Sequence, residues 1–471
     1  MSDVTAVLLA AGQGTRMKSD LVKVMHPIAG KPMLGHVVDN LRRAGLEDII
    51  VVVGHQQERI RAYLGNSVRY AVQEQQLGTG HAVLQAAPLI DEAAGEHVLV
   101  LYGDQPFIGP ELIRRLIRAH VEAGAACTLL TAEVSNPAML GRILRDRETG
   151  AFVGSVEYKD ATPEQRQIRE IWPGVVMFRR EGFTGLLRRL DRNNAQGEYY
   201  LPQAWEFLLR AGEKVQALPL ATEEEALAPN DRVQMAQAEA RLRRMINERH
   251  MLNGVTIINP DATYIDEEVE IERDTVIWPF TFLRGKTRIG RNCQIGPMST
   301  VVDSTIDDGS TVMQSVVEES YVGPNCRIGP MAHLRPGCYL EGEAEIGNYA
   351  ELKKAKVGRG VKCHHHSYLG DATIGARANI GAGTITANYN GIEKFHTEIG
   401  AGAFIGTNVN LIAPITVGEG ALVAAGSTVG PRAQIPADAL VVERAPVVVK
   451  EGRVARMKEA WRKRKENREG V

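Results

Sequence analysis

The chain has 471 residues, enough for two to four domains and more than one buried core. Hydrophobic residues make up 44% and charged residues 24%, the balance of a soluble globular protein. A formal net charge of -2 excludes a generic nucleic-acid binder, so an anionic substrate must meet local clusters of Lys and Arg. Aromatics are only 5% while glycines number 47, which points to a region of short, repetitive backbone. Met1-Ser2-Asp3-Val4 leads straight into an apolar strand, and no apolar run reaches membrane-spanning length. The five cysteines (Cys127, Cys293, Cys326, Cys338 and Cys363) show no Cys-x-x-Cys spacing. Free thiols, a reducing cytoplasmic setting and no membrane partner are expected.

In chain order, Val4–Ala10 is an apolar strand ending in glycines, and Met33 to Ala44 has a helical pattern that stops at Gly45. Ile49–Val53 and Val98–Tyr102 are further buried strands, the last ending in Gly103-Asp104. Continuous β-branched strands between amphipathic helices predict a mostly parallel, doubly wound sheet with ligands at the carboxyl ends of its strands. From Asp231 to about Leu252 the breaker-free pattern predicts a linking helix.

After Gly254 the helical period is lost. An aliphatic residue, usually followed by Gly, recurs every six positions through Val322-Gly323, Ile328-Gly329, Leu334, Leu340, Ile346-Gly347 and Leu352. The period resumes at Ile374-Gly375 and Ile380-Gly381, then runs from Ile399-Gly400 to Ile435. Small residues such as Ala350, Ala378, Ala403, Ala421 and Ser427 follow four places later. Six fits neither a helix nor ordinary strand pairing. It predicts a parallel β-helix whose aliphatics stack in a single interior column. Cys293, Cys326 and Cys338 fall on the small inward position, as core filler. Thr386–Glu398 breaks the period and is expected to leave the coil as a loop. The expected division is a first domain over 1–230, a linking helix over 231–253, the β-helix over 254–445 and a basic tail over 446–471.

Two regions carry chemistry. Leu9-Ala10-Ala11-Gly12-Gln13-Gly14-Thr15-Arg16 puts glycines at a strand-to-loop junction, where backbone N–H groups approach a phosphate. Arg16 and Lys23 add charge. The string is neither a Walker A loop nor a dinucleotide fingerprint, and a plain glycine turn with a surface Arg is the alternative. In the β-helix, Arg335, Lys353, Tyr368 and Lys394 suit a sugar phosphate, while Asn379, Ala382, Asn388 and Tyr389 suit an amine pocket. His365 is a candidate general base. It is also the middle of His364-His365-His366, and spacing alone favours reading that run as a polar face, because adjacent strand residues point to opposite sides.

The first string resembles the signature of sugar-1-phosphate nucleotidyltransferases, and further motifs of that family follow in order. The resemblance implies that Gln73, Gln76, Gly78 and Thr79 lie in a loop reading the base, and that Tyr102, Gly103 and Asp104 close the third strand. Gly141 and Glu157 match sugar-binding segments, Asn194 to Tyr200 another family string, and Asn230 a second Mg2+ ligand beside Asp104. Trp172-Pro173-Gly174 stands where the family usually has Asn-Thr-Gly, and Leu201-Pro202-Gln203 where it often has Leu-Thr-Asp.

The second half resembles the left-handed β-helix acyltransferases. Glu351 to Ala355, His365 to Ala372, Asn379 to Thr384 and Asn388-Tyr389 are similar to the bacterial bifunctional amino-sugar-1-phosphate uridyltransferase/acetyltransferase family, over essentially the whole chain. That resemblance implies His365 as base and an acetyl-CoA site completed by Ala382, Thr407, Ala425 and Arg444, with Thr407 for the usual Ser. His364 and His366 replace Gly and Leu. The expected protein is a homotrimer that acetylates glucosamine-1-phosphate with acetyl-CoA, then couples N-acetylglucosamine-1-phosphate to UTP. A single-activity enzyme and a non-catalytic sugar-nucleotide sensor are the alternatives. The basic Arg453–Arg468 tail reads as a solvated helix or as a holder of coenzyme A phosphates.

Overall fold

The computed structural model describes residues 3–12, 14–443 and 446–469. It divides into two compact units, Met1–Glu248 with Ile265–Glu267, and Arg249–Tyr264 with Glu268–Val471. Arg444, expected at the acetyl-CoA site, and Gln13 lie outside the described residues.

In the first unit the strands Arg69–Val72, Ile49–Val53, Val4–Leu9 and His97–Tyr102 lie side by side and parallel. Both faces of this half are covered. Ala6, Leu8 and Ala10 join one apolar cluster, while Val7, Leu9 and Ala11 join another. That explains the unbroken apolar runs, since a strand covered on one face only would alternate. The helix Met33–Arg43 buries Leu34, Val37, Val38 and Leu41 at helical spacing and is followed by Gly45 at φ 92°.

Beyond His97–Tyr102 the sheet is mixed rather than mostly parallel. Val176–Arg179 runs antiparallel to both His97–Tyr102 and Cys127–Glu133. Arg142–Arg145 and Phe152–Val156 form an antiparallel hairpin. Its turn is chemical in origin: Asp146 Oδ1 accepts from the backbone N–H of Glu148 and Thr149, and Gly150 takes φ 69°. A hairpin needs no crossover helix, so this half departs from the alternating pattern. The Arg232–Leu252 helix forms as the breaker-free composition predicts.

The second unit is a left-handed parallel β-helix with three faces. Strands from Thr256–Ile257 to Leu440–Val441 stack on the first face, Thr263–Ile265 to Thr428–Val429 on the second, and Glu270–Ile271 to Gln434–Ile435 on the third. The interior therefore holds three aliphatic columns, not one. Ile328, Ile346 and Ile380 belong to the first, Leu334, Leu352 and Leu369 to the second, and Leu340, Val357 and Ile374 to the third. Cys363 replaces an aliphatic in the first column. Cys293, Cys326 and Cys338 are buried, and all five cysteines are free. Each buried Val, Leu or Ile is worth about 1.5–3 kcal/mol relative to exposure, so the stack supplies its own core.

The coils begin upstream of the clear period. Ile277 stacks on Ile295 three hexads later, but Val312 and Ile328 follow one and two residues short of that spacing. In these coils the inward small residue is often Ser or Thr. Ser310 Oγ donates to the Gly323 carbonyl and accepts from Cys326 N, closing backbone groups inside the prism. The excursion is narrower than Thr386–Glu398: Ile385–Ala387 and Thr397–Ile399 are strands, leaving 388–396 outside the coil. Among the described residues no helix is long and apolar enough to cross a membrane.

Candidate active sites

The first site forms where the parallel strands end. Val4–Leu9 releases into Ala10–Gly12 and His97–Tyr102 into Gly103-Asp104 on the same edge of the sheet. A cleft of about 340 Å³ opens there, lined by the Leu9–Gly12 segment, Arg16, Lys23, Gln73, Gln76, Gly78, Thr79, Tyr102, Asp104 and Asn230. Gly103 lies behind it, close to Leu34. Gly14 is required: it takes φ 64°, and a Cβ there would sit 2.5 Å from Lys23 Cβ. The lysine stem passes through that gap. Its Nζ donates to Asn230 Oδ1 at 2.8 Å and pairs with Asp104 Oδ2, while Arg16 donates to the same Asn230 oxygen at 3.0 Å. Asp104 Oδ1 is buried with no hydrogen-bond partner.

These oxygens fit a magnesium ion. Mg2+ takes hard oxygen donors at about 2.0–2.1 Å. Here a carboxylate and an amide oxygen converge on one cation, and a further buried carboxylate oxygen is left over.

Gln73 is pinned, with Nε2 3.2 Å from the Gly78 carbonyl and 3.0 Å from His81 Nδ1. Gln76 makes only a 3.5 Å contact to the Gln73 carbonyl, so its amide can meet the donor–acceptor edge of a base. Burial, with the Glu157, Asp104 and Glu198 carboxylates nearby, raises the Tyr102 phenol above its ordinary range and keeps it a neutral donor. Burial likewise raises Glu157, helped by Asp160 and Glu198. Gly141 and Glu157 do not line the cleft but face one another, a Cβ on Gly141 falling 3.4 Å from Glu157 Oε1.

Glu198, by contrast, does line the cleft. It was absent from the expected site, although it sits in the Asn194–Tyr200 string. Trp172 is buried, its indole edge-on to Trp205 at 4.9 Å and its Nε1 donating to the Val175 carbonyl at 2.9 Å. It packs behind Tyr102 with its one donor already engaged.

The second site follows from strand register. On the first face, Ile346, Cys363, Ile380, Ile405 and Val423 stack in consecutive coils. Two residues beyond each lies the same corner of the prism, so Asn348, His365, Ala382, Thr407 and Ala425 form one column, spaced by about 4.8 Å per coil. The expected base and the three described acetyl-CoA residues thus share an edge. Asn379 lies one coil beyond Lys362 on that face.

On the second face Arg335 and Lys353 follow the stacked Leu334 and Leu352, and Tyr368 pairs with Glu351. Arg335 donates to Glu351 Oε1 at 2.9 Å. The neighbouring Lys394 and Arg335 push the Lys353 ammonium below its ordinary range. Such crowded cations call for an anion. Lys394 pairs with Tyr389 across the ejected loop, and Asn388 donates to Asp371 at its base. Gly370 leaves the Tyr368 ring room, since a Cβ there would lie 2.4 Å from the tyrosine hydroxyl. In the next coil the Thr386 hydroxyl accepts from Gly370 N at 2.8 Å where the loop departs.

A nucleotidyltransferase sheet followed in one chain by a hexapeptide β-helix defines a class of two-domain sugar-nucleotide transferases. Residues 6–166 match the MobA-like NTP transferase domain, and residues 396–431 the bacterial transferase hexapeptide (six repeats). The Bifunctional protein GlmU of Symbiobacterium thermophilum is 82% identical over 471 residues, covering 100% of both chains. Those of Geobacillus sp. (strain WCH70) and Brevibacillus brevis are 48% and 47% identical, covering 96% and 94% of this chain and 98% and 95% of theirs. The chain belongs to the GlmU family, and it is a bifunctional enzyme of UDP-N-acetylglucosamine synthesis with uridylyltransferase and acetyltransferase activities.

Proposed function

We propose that the first unit transfers UMP in the Leu9–Asn230 cleft and the second acetylates glucosamine-1-phosphate at the His365 corner. The observation that carries the first assignment is the convergence of Asp104 and Asn230 on one cation, with a buried carboxylate oxygen to spare. Asp104 and Asn230 would hold Mg2+, which when bound would neutralise phosphate charge. The Ala10–Gly12 backbone, Arg16 and Lys23 hold the triphosphate, and the Gln76 amide reads the uracil edge. A phosphate oxygen of N-acetylglucosamine-1-phosphate then bonds to the α-phosphorus as its bond to the bridging oxygen of pyrophosphate breaks. Positioning and charge carry this step, with no covalent nucleophile.

In the second unit Arg335, Lys353, Lys394 and Tyr368 hold the sugar phosphate. Asn379, Asn388 and Tyr389 shape the pocket of the 2-amine. The shared column of His365, Ala382, Thr407 and Ala425 supports an extended thioester arm lying along that edge. The amine nitrogen bonds to the acetyl carbonyl carbon, His365 takes the amine proton, and the intermediate collapses with loss of the coenzyme A thiolate. We further propose a cytoplasmic homotrimer, with residues 231–253 linking the two domains. The test is a paired assay: free thiol from glucosamine-1-phosphate and acetyl-CoA, and pyrophosphate from N-acetylglucosamine-1-phosphate and UTP. His365→Ala should abolish thiol release and leave pyrophosphate release intact, whereas full thiol release from that variant would refute the base assignment.

A further inference from the structure

The ring of His365 is short of partners. Among the described residues no side chain hydrogen-bonds to either of its nitrogens, although general bases are usually oriented by a third group. The ring of His364 lies edge-on to it, with centroids 6.1 Å apart. His364 is itself anchored: its Nε2 lies 2.9 Å from Glu345 Oε2, and Glu345 Oε1 accepts from Arg327 at 2.8 Å. Arg327, Glu345 and Lys362 follow one another up the first face, with His364 two residues beyond Lys362.

The position itself is unusual for a side chain of this kind. The residues that follow the stacked first-face aliphatics at Ile295, Ile328, Ile346, Ile380 and Ile405 are glycine, whereas the outer coils carry apolar residues there, such as Trp278, Met313 and Ala424. Gly347 has no room for a side chain, because a Cβ there would lie 2.2 Å from the His364 carbonyl oxygen. In the coils on either side of His364, at Gly329, Gly347, Gly381 and Gly406, the position is glycine, so the imidazole stands alone there beside the candidate base.

We infer that His364 is a positioning residue for acetyl transfer: the Arg327–Glu345–His364 relay fixes the orientation of the His365 ring through the edge-on contact. The inference rests on His365 being the base. Misplacing a reacting group by about 1 Å can cost about 100-fold in rate, so a loosened ring shows in turnover rather than in substrate binding.

The experiment uses the full-length chain and measures kcat and KM for acetyl transfer, with pyrophosphate release and thermal midpoint as controls. His364→Gly introduces the residue that the neighbouring coils carry at this place and should lower kcat about ten-fold, with both KM values and both controls unchanged. Glu345→Ala should lower kcat similarly, and the double variant should be no slower than His364→Gly alone, because both act through one contact. An unchanged kcat in His364→Gly, or additive losses in the double variant, would overturn the inference. His365→Ala separates the two levels: if it retains thiol release the base assignment fails, and if it alone is inactive only the positioning role fails.

Discussion

Lys23 Nζ stands 2.8 Å from Asn230 Oδ1 although the two are 207 residues apart in sequence, and the same nitrogen pairs with Asp104. The ammonium thus satisfies two oxygens proposed to hold Mg2+. A divalent ion added without nucleotide must displace that charge, with Arg16 also close by. With UTP present the triphosphate offers the lysine a better partner. Lys23→Met should therefore bind Mn2+ alone about ten-fold more tightly than the unmutated chain, read by Mn2+ electron paramagnetic resonance. The same variant should lose at least about 100-fold in pyrophosphate release, as removal of a charge-stabilising group does. Equal Mn2+ affinity would show that the lysine does not guard the site.

Removing the metal should divide the two activities. Excess EDTA should abolish pyrophosphate release and leave thiol release within two-fold, since the acetyl chemistry proposed at His365 needs only a base and donors. Asp104→Asn should reproduce the first effect and spare the second. Parallel loss of both activities on chelation would mean that the acetyl half also depends on a metal.

How much of this was readable beforehand depends on range. The β-helix was legible because its signal is local: each Ile-Gly or Val-Gly fixes one corner, and the register propagates itself. The coils before Val322 were fainter because they are short by one or two residues and carry Ser or Thr inside. The parallel half of the first sheet was legible from fully buried runs such as Ile49–Val53, but the antiparallel insertion of Val176–Arg179 was not. Strand order is set by packing between distant segments, which no local pattern encodes. At the sites, single motifs were visible, and their grouping came only through the family resemblance. Composition and spacing alone did not place Lys23 between Asp104 and Asn230, or His365 in line with Thr407.

Trp172 shows the limit from the other side. It stands where the family usually has Asn, yet the indole is packed on Trp205 with its N–H bonded to Val175. Its first effect should therefore be on stability. Trp172→Ala should cost about 3–5 kcal/mol in unfolding of the first unit, measured by denaturant titration. The thermal transition of the second unit should not move. A loss below about 1 kcal/mol would place the side chain outside the core.

The crowded cations of the second site yield a binding prediction. Lys394→Ala removes the charge that most depresses Lys353, and with it one donor for the sugar phosphate. KM for glucosamine-1-phosphate should rise about ten-fold, equivalent to about 1.4 kcal/mol, while kcat and the KM for acetyl-CoA stay level. The dependence of that KM on added salt should flatten, because one screened attraction is gone. A rise in the acetyl-CoA KM instead would assign the loop to the coenzyme.

The first unit also carries an acid sensitivity unrelated to catalysis. His120 is fully buried, its Nδ1 2.8 Å from Thr128 Oγ1 and its Nε2 3.2 Å from His97 Nδ1. Burial, reinforced by His97 and Arg179, lowers its pKa to about 4. An exposed histidine titrates near 6.5, so between the two values the unfolded chain binds a proton that the folded chain refuses. Stability contributed by the neutral ring is thus complete above about 6.5 and is lost as pH falls toward 4, by at most about 3.4 kcal/mol. His97 is lowered as well, chiefly by burial, and acts in the same direction. Denaturant titrations from pH 7 to 4 should show the first unit weakening across that window, and His120→Phe should lessen the slope even if it lowers the plateau. A slope unchanged in the variant would mean that the acid loss arises elsewhere, from carboxylates such as Glu170 that are held below their ordinary range by the Arg145 and Thr131 hydrogen bonds.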